Sequence, residues 1–282
     1  MHLPKTEAIA ARVIWLDEVE STNSALRSIA QGTDDLPHPT LLISDNQIAG
    51  RGRQGREWIT EPHLALAISV LLQPVPQTAP LGATWMPLFA GSAMVAALQP
   101  FFARTAQGDE TSRVGVKWPN DVHVRTEQEA AAGSQGKKLS GILAEVLPDG
   151  RIIIGVGVNV LLEDWQLPTD RATSLLAAGA HVGNAQTLRD TKGRELADGI
   201  VASFLRELTE LIDLAQSEPQ AARNRVLRDS FTLGTEVRVH LPGDAGVVDG
   251  RAVALGDDGS LIVDRPTTGQ LIVTAADVEH LR

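Results

Sequence analysis

Apolar positions follow two regimes along the chain. Up to about residue 216, short continuous or alternating apolar runs, which suit strands, are interleaved with stretches of 3–4 spacing, which suit helices. Residues 13–20 (VIWLDEVE), 40–44 (TLLIS) and 64–72 predict strands. Ala25, Leu26 and Ile29, with Gly32 as a stop, predict a helix over 22–31. Met86, Leu88, Phe89, Ala93, Val95 and Leu98 give an apolar face to a helix over about 83–99, reached through a Pro-rich connector at 73–80. Residues 114–118 and 121–124 predict strand ends around a Trp-Pro-Asn turn. The runs 139–147 and 151–160 predict a hairpin closed by Pro148-Asp149-Gly150, and 193–216 a long amphipathic helix.

Between two of these strands, residues 126–138 (TEQEAAAGSQGKK) are polar and of low complexity. They predict a mobile loop whose Lys137 and Lys138 are merely solvated. The regime changes near residue 230. From Thr235 onward come EVRVHL, VDGRAVAL, SLIVD and GQLIVTA, separated by PGDAG, GDDG and RPTTG. Short strands with Gly/Asp turns at this spacing predict a small all-β barrel or sandwich. The expected fold class is therefore α+β: a mixed-sheet domain over 1–230 and a small β-domain over 231–282.

Composition narrows the function classes. The chain has 282 residues, 43% hydrophobic and 21% charged, enough apolar material for a sizeable core. Cysteine is absent, which excludes disulfides, thiolate metal sites and a Cys nucleophile, and fits a reducing compartment. The opening MHLPKTEAIAARVIWL lacks the layout of a signal peptide, and the longest apolar run, 64–72, is too short to span a bilayer. A cytoplasmic location with no membrane partner is expected. A net charge of −10 repels nucleic acid over most of the surface. A phosphate site would have to be a local concentration of positive charge.

Four segments offer chemistry. The first, Gly50-Arg51-Gly52-Arg53-Gln54-Gly55-Arg56 followed by Trp58, sets three arginines in an acidic chain. Its glycines permit φ > 0 and close backbone approach, and arginine donates bidentate hydrogen bonds to carboxylate and phosphate. Such a loop suits closure over a phosphate-bearing ligand and is expected to be unordered without one. A solvated Gly/Arg loop or an RNA-binding tract reads equally well from this segment alone. The second, Val116-Lys117-Trp118-Pro119-Asn120-Asp121, holds a lysine at a strand end beside a stiff turn, either as a placed point charge or as an ordinary exposed Lys.

The third, Ser21-Thr22-Asn23, is a good helix cap and equally a pair of hydroxyls at a helix N-terminus that could hold a small polar head group. The fourth pairs Gly141-Ile142-Leu143-Ala144-Glu145 with Gly155-Val156-Gly157-Val158-Asn159. Glycine within an apolar strand marks close approach by backbone or ligand, or a β-bulge. Asn159 can present both a donor and an acceptor to a base. Asp121 and Glu145 are either metal ligands or structural.

In order and at these separations, STN…QxAGRGRxGRxW…KWPND…KLxGILxE…GxGxN resembles the catalytic domain of the biotin–protein ligase family, from about Ser21 to Asn159. The C-terminal β-domain is similar to that family's SH3-like barrel. The resemblance implies biotin and ATP, with Mg²⁺, as ligands, and a biotin carboxyl carrier domain as protein partner. Ser21, Thr22, Asn23 and Gln47 would bind the biotin ureido ring, and Gly141, Leu143, Gly155 and Val156 would line its pocket. Arg51, Gly52 and Arg53 would lie in the closing loop, Arg56 would assist with phosphate, and Trp58 and Asn159 would meet adenine. Lys117 would bridge biotin carboxylate and α-phosphate, with Arg53 as the second charge stabiliser. Family members that also repress transcription carry an N-terminal helix-turn-helix domain. About a dozen residues precede the first catalytic strand here, so no DNA partner is expected. A monomer or weak homodimer is expected, the latter through an exposed sheet edge. The competing readings are a lipoate–protein ligase or octanoyltransferase and, less suited to this charge and to a chain without Tyr, an RNA-binding module.

Overall fold

The computed structural model describes residues 1–33, 35–59, 61–76, 79–102, 112–241, 246–274 and 276–281. After a one-turn helix α1 (Pro4–Glu7) come β1 (Arg12–Trp15), α2 (Thr22–Gln31) and β2 (Thr40–Ser44). A two-residue ribbon, β3 (Gly50–Arg51) and β4 (Glu57–Trp58), leads to β5 (Ala65–Leu72) and α3 (Met86–Leu98). Next are β6 (Arg113–Lys117), β7 (Asp121–Arg125), a short α4 (Glu127–Ala131), β8 (Lys137–Val146) and β9 (Ile152–Asn159). Two helices, α5 (Thr191–Ser217) and α6 (Pro219–Asp229), close the first part. The second is β10 (Glu236–His240), β11 (Val247–Leu255), β12 (Leu261–Arg265), β13 (Gly269–Val273) and β14 (Asp277–His280).

Seven strands make one mixed sheet in the order β1-β2-β5-β9-β8-β7-β6, with only β1 and β2 parallel. Strand alternation sends Leu42, Leu71 and Ile153 to one face, where they pack with Leu26 and Ala30 of α2. Leu41, Ile43, Ile68, Val70 and Ile154 go to the other, beneath α3 and α5. β5 is buried at every residue, which is why its sequence is a continuous apolar run rather than an alternating one. The helical stretch Ala83–Phe102 is apolar and long enough, by composition, to cross a membrane, but 72% of its most apolar window is buried here as the core helix between sheet and α5.

The five C-terminal strands form an antiparallel sheet in the order β13-β12-β11-β10-β14. It is bonded to the first part. The Phe231 amide donates to Val116 O at 2.8 Å, and the Trp85 and Trp118 indoles donate to Asp257 O and Gly259 O at 2.7 and 3.1 Å. Val237, Val239, Val263 and Val278 belong to the same buried cluster as α3 and α5.

Several expectations are corrected. The strand expected over 13–20 stops at Trp15, because its partner β2 ends at Ser44 and leaves no ladder beyond an isolated Val19–Gln47 bridge. The loop expected over 126–138 contains α4, closed by a Thr126/Glu129 capping box, and its Lys137 and Lys138 already belong to β8. The sequence reading misses α6, which Pro219 restarts after α5, and β14, whose four residues are too few for a pattern. Most of the expected PGDAG turn, residues 242–245, lies outside the described residues.

Candidate functional site

The N-terminus of α2 sits over the middle of the sheet. Ser21 caps it, its side chain accepting from Ser24 N at 3.4 Å. Thr22 donates through N and Oγ1 to Gln47 Oε1 at 2.9 and 3.1 Å. Asn23 is nearly saturated: Nδ2 donates to Glu145 Oε1 (2.8 Å) and Leu143 O (3.3 Å), and Oδ1 accepts from Ser69 Oγ (2.6 Å). Glu145 is itself ion-paired with Arg27, one turn along α2. A Cβ on Gly155 would fall 2.3 Å from Asn23 Oδ1. That glycine therefore exists for a close approach; the β8–β9 register is unbroken, which removes the β-bulge reading.

The Gly/Arg segment is the β3–β4 ribbon with one 3-10 turn, Arg53–Gly55, at its tip. Gly50 is required because a Cβ would lie 2.4 Å from Trp58 O, and Gly55 because its φ is +74°. The ribbon carries Trp58 onto the glycine floor of β8 and β9. A Cβ on Gly157 would stand 2.3 Å from Trp58 Cε2, and one on Gly141 would stand 3.0 Å from Cζ3. The wall expected to receive an apolar ligand chain is thus partly covered by the protein's own indole, whose Nε1 is buried without a partner among the described residues.

Lys117 ends β6 and Asp121 starts β7, with Trp118-Pro119-Asn120 as the turn. Asn120 braces it: Nδ2 donates to Ile142 O at 2.7 Å, and Oδ1 accepts from Arg53 Nη1 at 3.1 Å. Asp121 pairs with Lys138 Nζ at 2.7 Å, and that ammonium lies 5.5 Å from the Trp58 ring centre. Lys117, like Arg51, has no side-chain partner among the described residues. No hydrogen bond or ion pair is formed by its ammonium among the described residues, and burial, partly offset by Asp121, holds its pKa below the ordinary lysine value.

These groups enclose one cavity of about 520 Å³. Of the fifteen residues singled out from the sequence, fourteen line it, Arg53 and Lys117 together among them. Asn159 does not; it is buried, and its Nδ2 donates to Thr173 O at 2.9 Å. The cavity lining carries six arginine and lysine side chains (Arg51, Arg53, Arg56, Lys117, Lys138, Arg171) against four carboxylates (Glu57, Asp121, Asp277, Glu279). In a chain of net charge −10 this is the local positive excess that an anion requires.

Sequence reasoning missed Lys138, which lies in the site rather than in solvent. The signal was present in KLxGILxE, but strand alternation puts Lys138 and Gly141 on opposite faces. The β7–β8 register shifts between Val122 and His123, leaving Leu139 unpaired, and this bulge returns Lys138 to the Gly141 face. His240, Asp277 and Glu279 come from the C-terminal sheet, and no local pattern announces them. Asp277 is ion-paired with Arg56, and Glu279 with Arg171 at 3.1 Å, with the His240 ring nitrogen 3.5 Å from Glu279.

Among known proteins, residues 15–159 match the Biotin/lipoate A/B protein ligase family. A biotin--[acetyl-CoA-carboxylase] ligase of Mycobacterium tuberculosis is 35% identical over 265 residues, covering 93% of this chain and 86% of that protein. The bifunctional ligase/repressor BirA of Bacillus subtilis is 27% identical, covering 98% of this chain and 76% of its own length. A solved biotin protein ligase from Aquifex aeolicus, in complex with biotin and ATP, superposes with a TM-score of 0.67 at 24% identity over 96% of this chain and 100% of that one, a likeness of fold.

Proposed function

Since the chain belongs to the Biotin/lipoate A/B protein ligase family and is a biotin protein ligase, we propose that it forms biotinyl-5′-AMP from biotin and ATP and passes the biotinyl group to a lysine of a biotin carboxyl carrier domain. The observation that carries this reading is the half-buried ammonium of Lys117, without a hydrogen bond or ion pair among the described residues, in one cavity with Arg53 and Lys138. A cation partly withdrawn from water and only partly offset by Asp121 costs stability, and an anionic substrate repays that cost. Two anions must meet when a carboxylate attacks the α-phosphorus. Lys117, Lys138 and Arg53 supply fixed positive charge for that encounter, so catalysis is positioning and electrostatics rather than acid–base work.

The biotin head is assigned to Ser21, Thr22, Asn23 and Gln47, and its chain to the glycine floor of Gly141 and Gly155 with Leu143 and Val156. This requires Trp58 to leave the floor, and an indole displaced from it is free to stack on adenine. Arg51, Gly52 and Arg56 close over the phosphates and keep water from the mixed anhydride. Asn159 is retained as an adenine-side residue acting from behind the wall, through the Thr173 backbone it holds. Among the described residues no three His, Asp or Glu side chains form a metal cage. Mg²⁺ therefore enters as the substrate complex with ATP, bound mainly by phosphate oxygens. Units 1–230 and 231–282 are read as catalytic domain and SH3-like barrel. The protein is read as a cytoplasmic monomer or weak homodimer, and as lacking a repressor role because its acidic charge repels DNA.

Biotin-dependent exchange of pyrophosphate into ATP tests the reading. Exchange with biotin, none with lipoate or octanoate, and a biotin-mass adduct on a carrier domain are expected. Exchange driven by lipoate instead of biotin overturns it.

A further inference from the structure

A second hollow of about 270 Å³ lies between the main sheet and the C-terminal unit. It shares Arg53, Trp118, Pro119, Asn120, Ile142 and Leu143 with the reaction cavity, so one wall separates the two. That wall is held by three hydrogen bonds, Arg53 to Asn120 Oδ1, Asn120 Nδ2 to Ile142 O, and Ile142 N to Asn120 O. We propose that this hollow is the port through which the acceptor lysine of the carrier reaches the acyl-adenylate, an inference that rests on the ligase reading above.

Three observations select that occupant. First, a further hollow beside the reaction cavity is bounded by the ribbon itself, including Arg51, Arg56 and Ile59, so a ribbon closed over the adenylate shuts that side and an acceptor needs a separate approach. Second, the hollow has the polarity of a lysine side chain. Leu88, Trp118, Ile142 and Ala144 offer apolar surface to the methylene stem, and the Asp258 carboxylate stands exposed at the outer rim, where an ammonium arrives. Arg53 stands at the inner end, where positive charge disfavours the ammonium and favours the neutral amine that is the nucleophile. Third, the outer wall is pre-formed. The Asp258–Ser260 turn is tied down by the Trp118 indole on Gly259 O, and a Cβ on Gly259 would lie 3.3 Å from Leu88 Cδ1.

The step balances without further reactants. The ammonium gives its proton to solvent at the port, and the amine nitrogen bonds to the acyl carbon. The bond from that carbon to the phosphate oxygen breaks, its electron pair leaves with AMP, and the second amine proton is released to solvent. An Arg53 drawn to the phosphate frees Asn120 Oδ1, while Asn120 and Ile142 stay bonded to each other through Nδ2 and the backbone.

Half-reactions separate the port from the adenylation site. Thr274→Trp and Ala144→Phe fill the hollow from the rim and from the floor, and Asp258→Lys reverses the rim charge at an exposed position. Wild-type enzyme forming biotinyl-adenylate, trapped with hydroxylamine, checks the ligase reading; no adenylate there overturns both. Expected for the two filling variants is adenylate yield within about twofold of wild type and carrier biotinylation lowered about tenfold or more. Asp258→Lys is expected to raise the KM for carrier with adenylation unchanged. Normal carrier biotinylation in both filling variants, or equal loss of adenylation and transfer, overturns the port.

Discussion

Lys117 carries a charge into a place that offers it no partner, and this is where stability and function part. Its folded-state pKa lies below the ordinary lysine value, with burial the largest cause and Asp121 opposing. Between the two values the unfolded chain binds a proton that the folded chain does not, so stability rises with pH across that window. Below that window the charged form carries the full desolvation penalty. Lys117→Met is therefore expected to raise the melting temperature, a gain of about 1 kcal/mol, while adenylate formation drops about 100-fold. A thermal melt alongside pyrophosphate exchange reads both; a variant that melts lower and still exchanges at the wild-type rate removes Lys117 from the site. Other residues were legible as types and not as roles. Asn23 could be named as a polar group at a helix start. That its amide is spent on Glu145, Leu143 and Ser69 depends on strands far away in sequence.

Elements with local causes were read correctly. The helix over 22–31 needed only a Ser cap, 3–4 apolar spacing and a following glycine, all within eleven residues of one another, and it forms over Thr22–Gln31. The β8 bulge had no such signature, and without it Lys138 is assigned to the wrong face. The β3–β4 ribbon lies between these cases. Its arginines and glycines mark it as a flap, yet only the fold puts Trp58 on the floor and Arg56 against Asp277. Such exposed pairing is worth at most about 1 kcal/mol, so the ribbon should open readily. Trypsin is expected to cut after Arg51, Arg53 or Arg56 in the unliganded protein, and biotin with ATP to slow that cleavage at least about tenfold through closure. Equal cleavage rates with and without both ligands would mean that the ribbon does not close.

At the scale of the whole molecule, the seam between the main sheet and the C-terminal unit holds two histidines that cannot easily charge. His123 is buried and pushed down to about 3, chiefly by burial and then by Lys117. His280 is pushed down to about 4 by burial, Lys117 and Arg125. Both folded values lie below the unfolded one, so the stability these groups contribute is present above about pH 6.5 and is lost as pH falls toward their folded values. For His123 the loss reaches about 2 kcal/mol at pH 5. Urea denaturation at pH 7 and pH 5 should show this loss in wild type and a smaller one in His123→Gln; identical losses would place the acid sensitivity elsewhere.

Most of the order of strands and helices (α4, α6 and β14 excepted), the net acidic charge, the Gly/Arg loop and the set of chemical groups were determined by the sequence alone. Each of these depends on residues within a turn or a strand of one another, where period, capping and glycine act directly. Tertiary structure alone decided that Lys117 has no side-chain partner among the described residues, that Lys138 belongs to the site, that Asn159 stands behind it, and that the last strand supplies Asp277 and Glu279 to its wall. Those outcomes depend on burial, on a one-residue register shift and on the docking of two sheets. They arise from groups far apart along the chain, whose meeting no local pattern encodes.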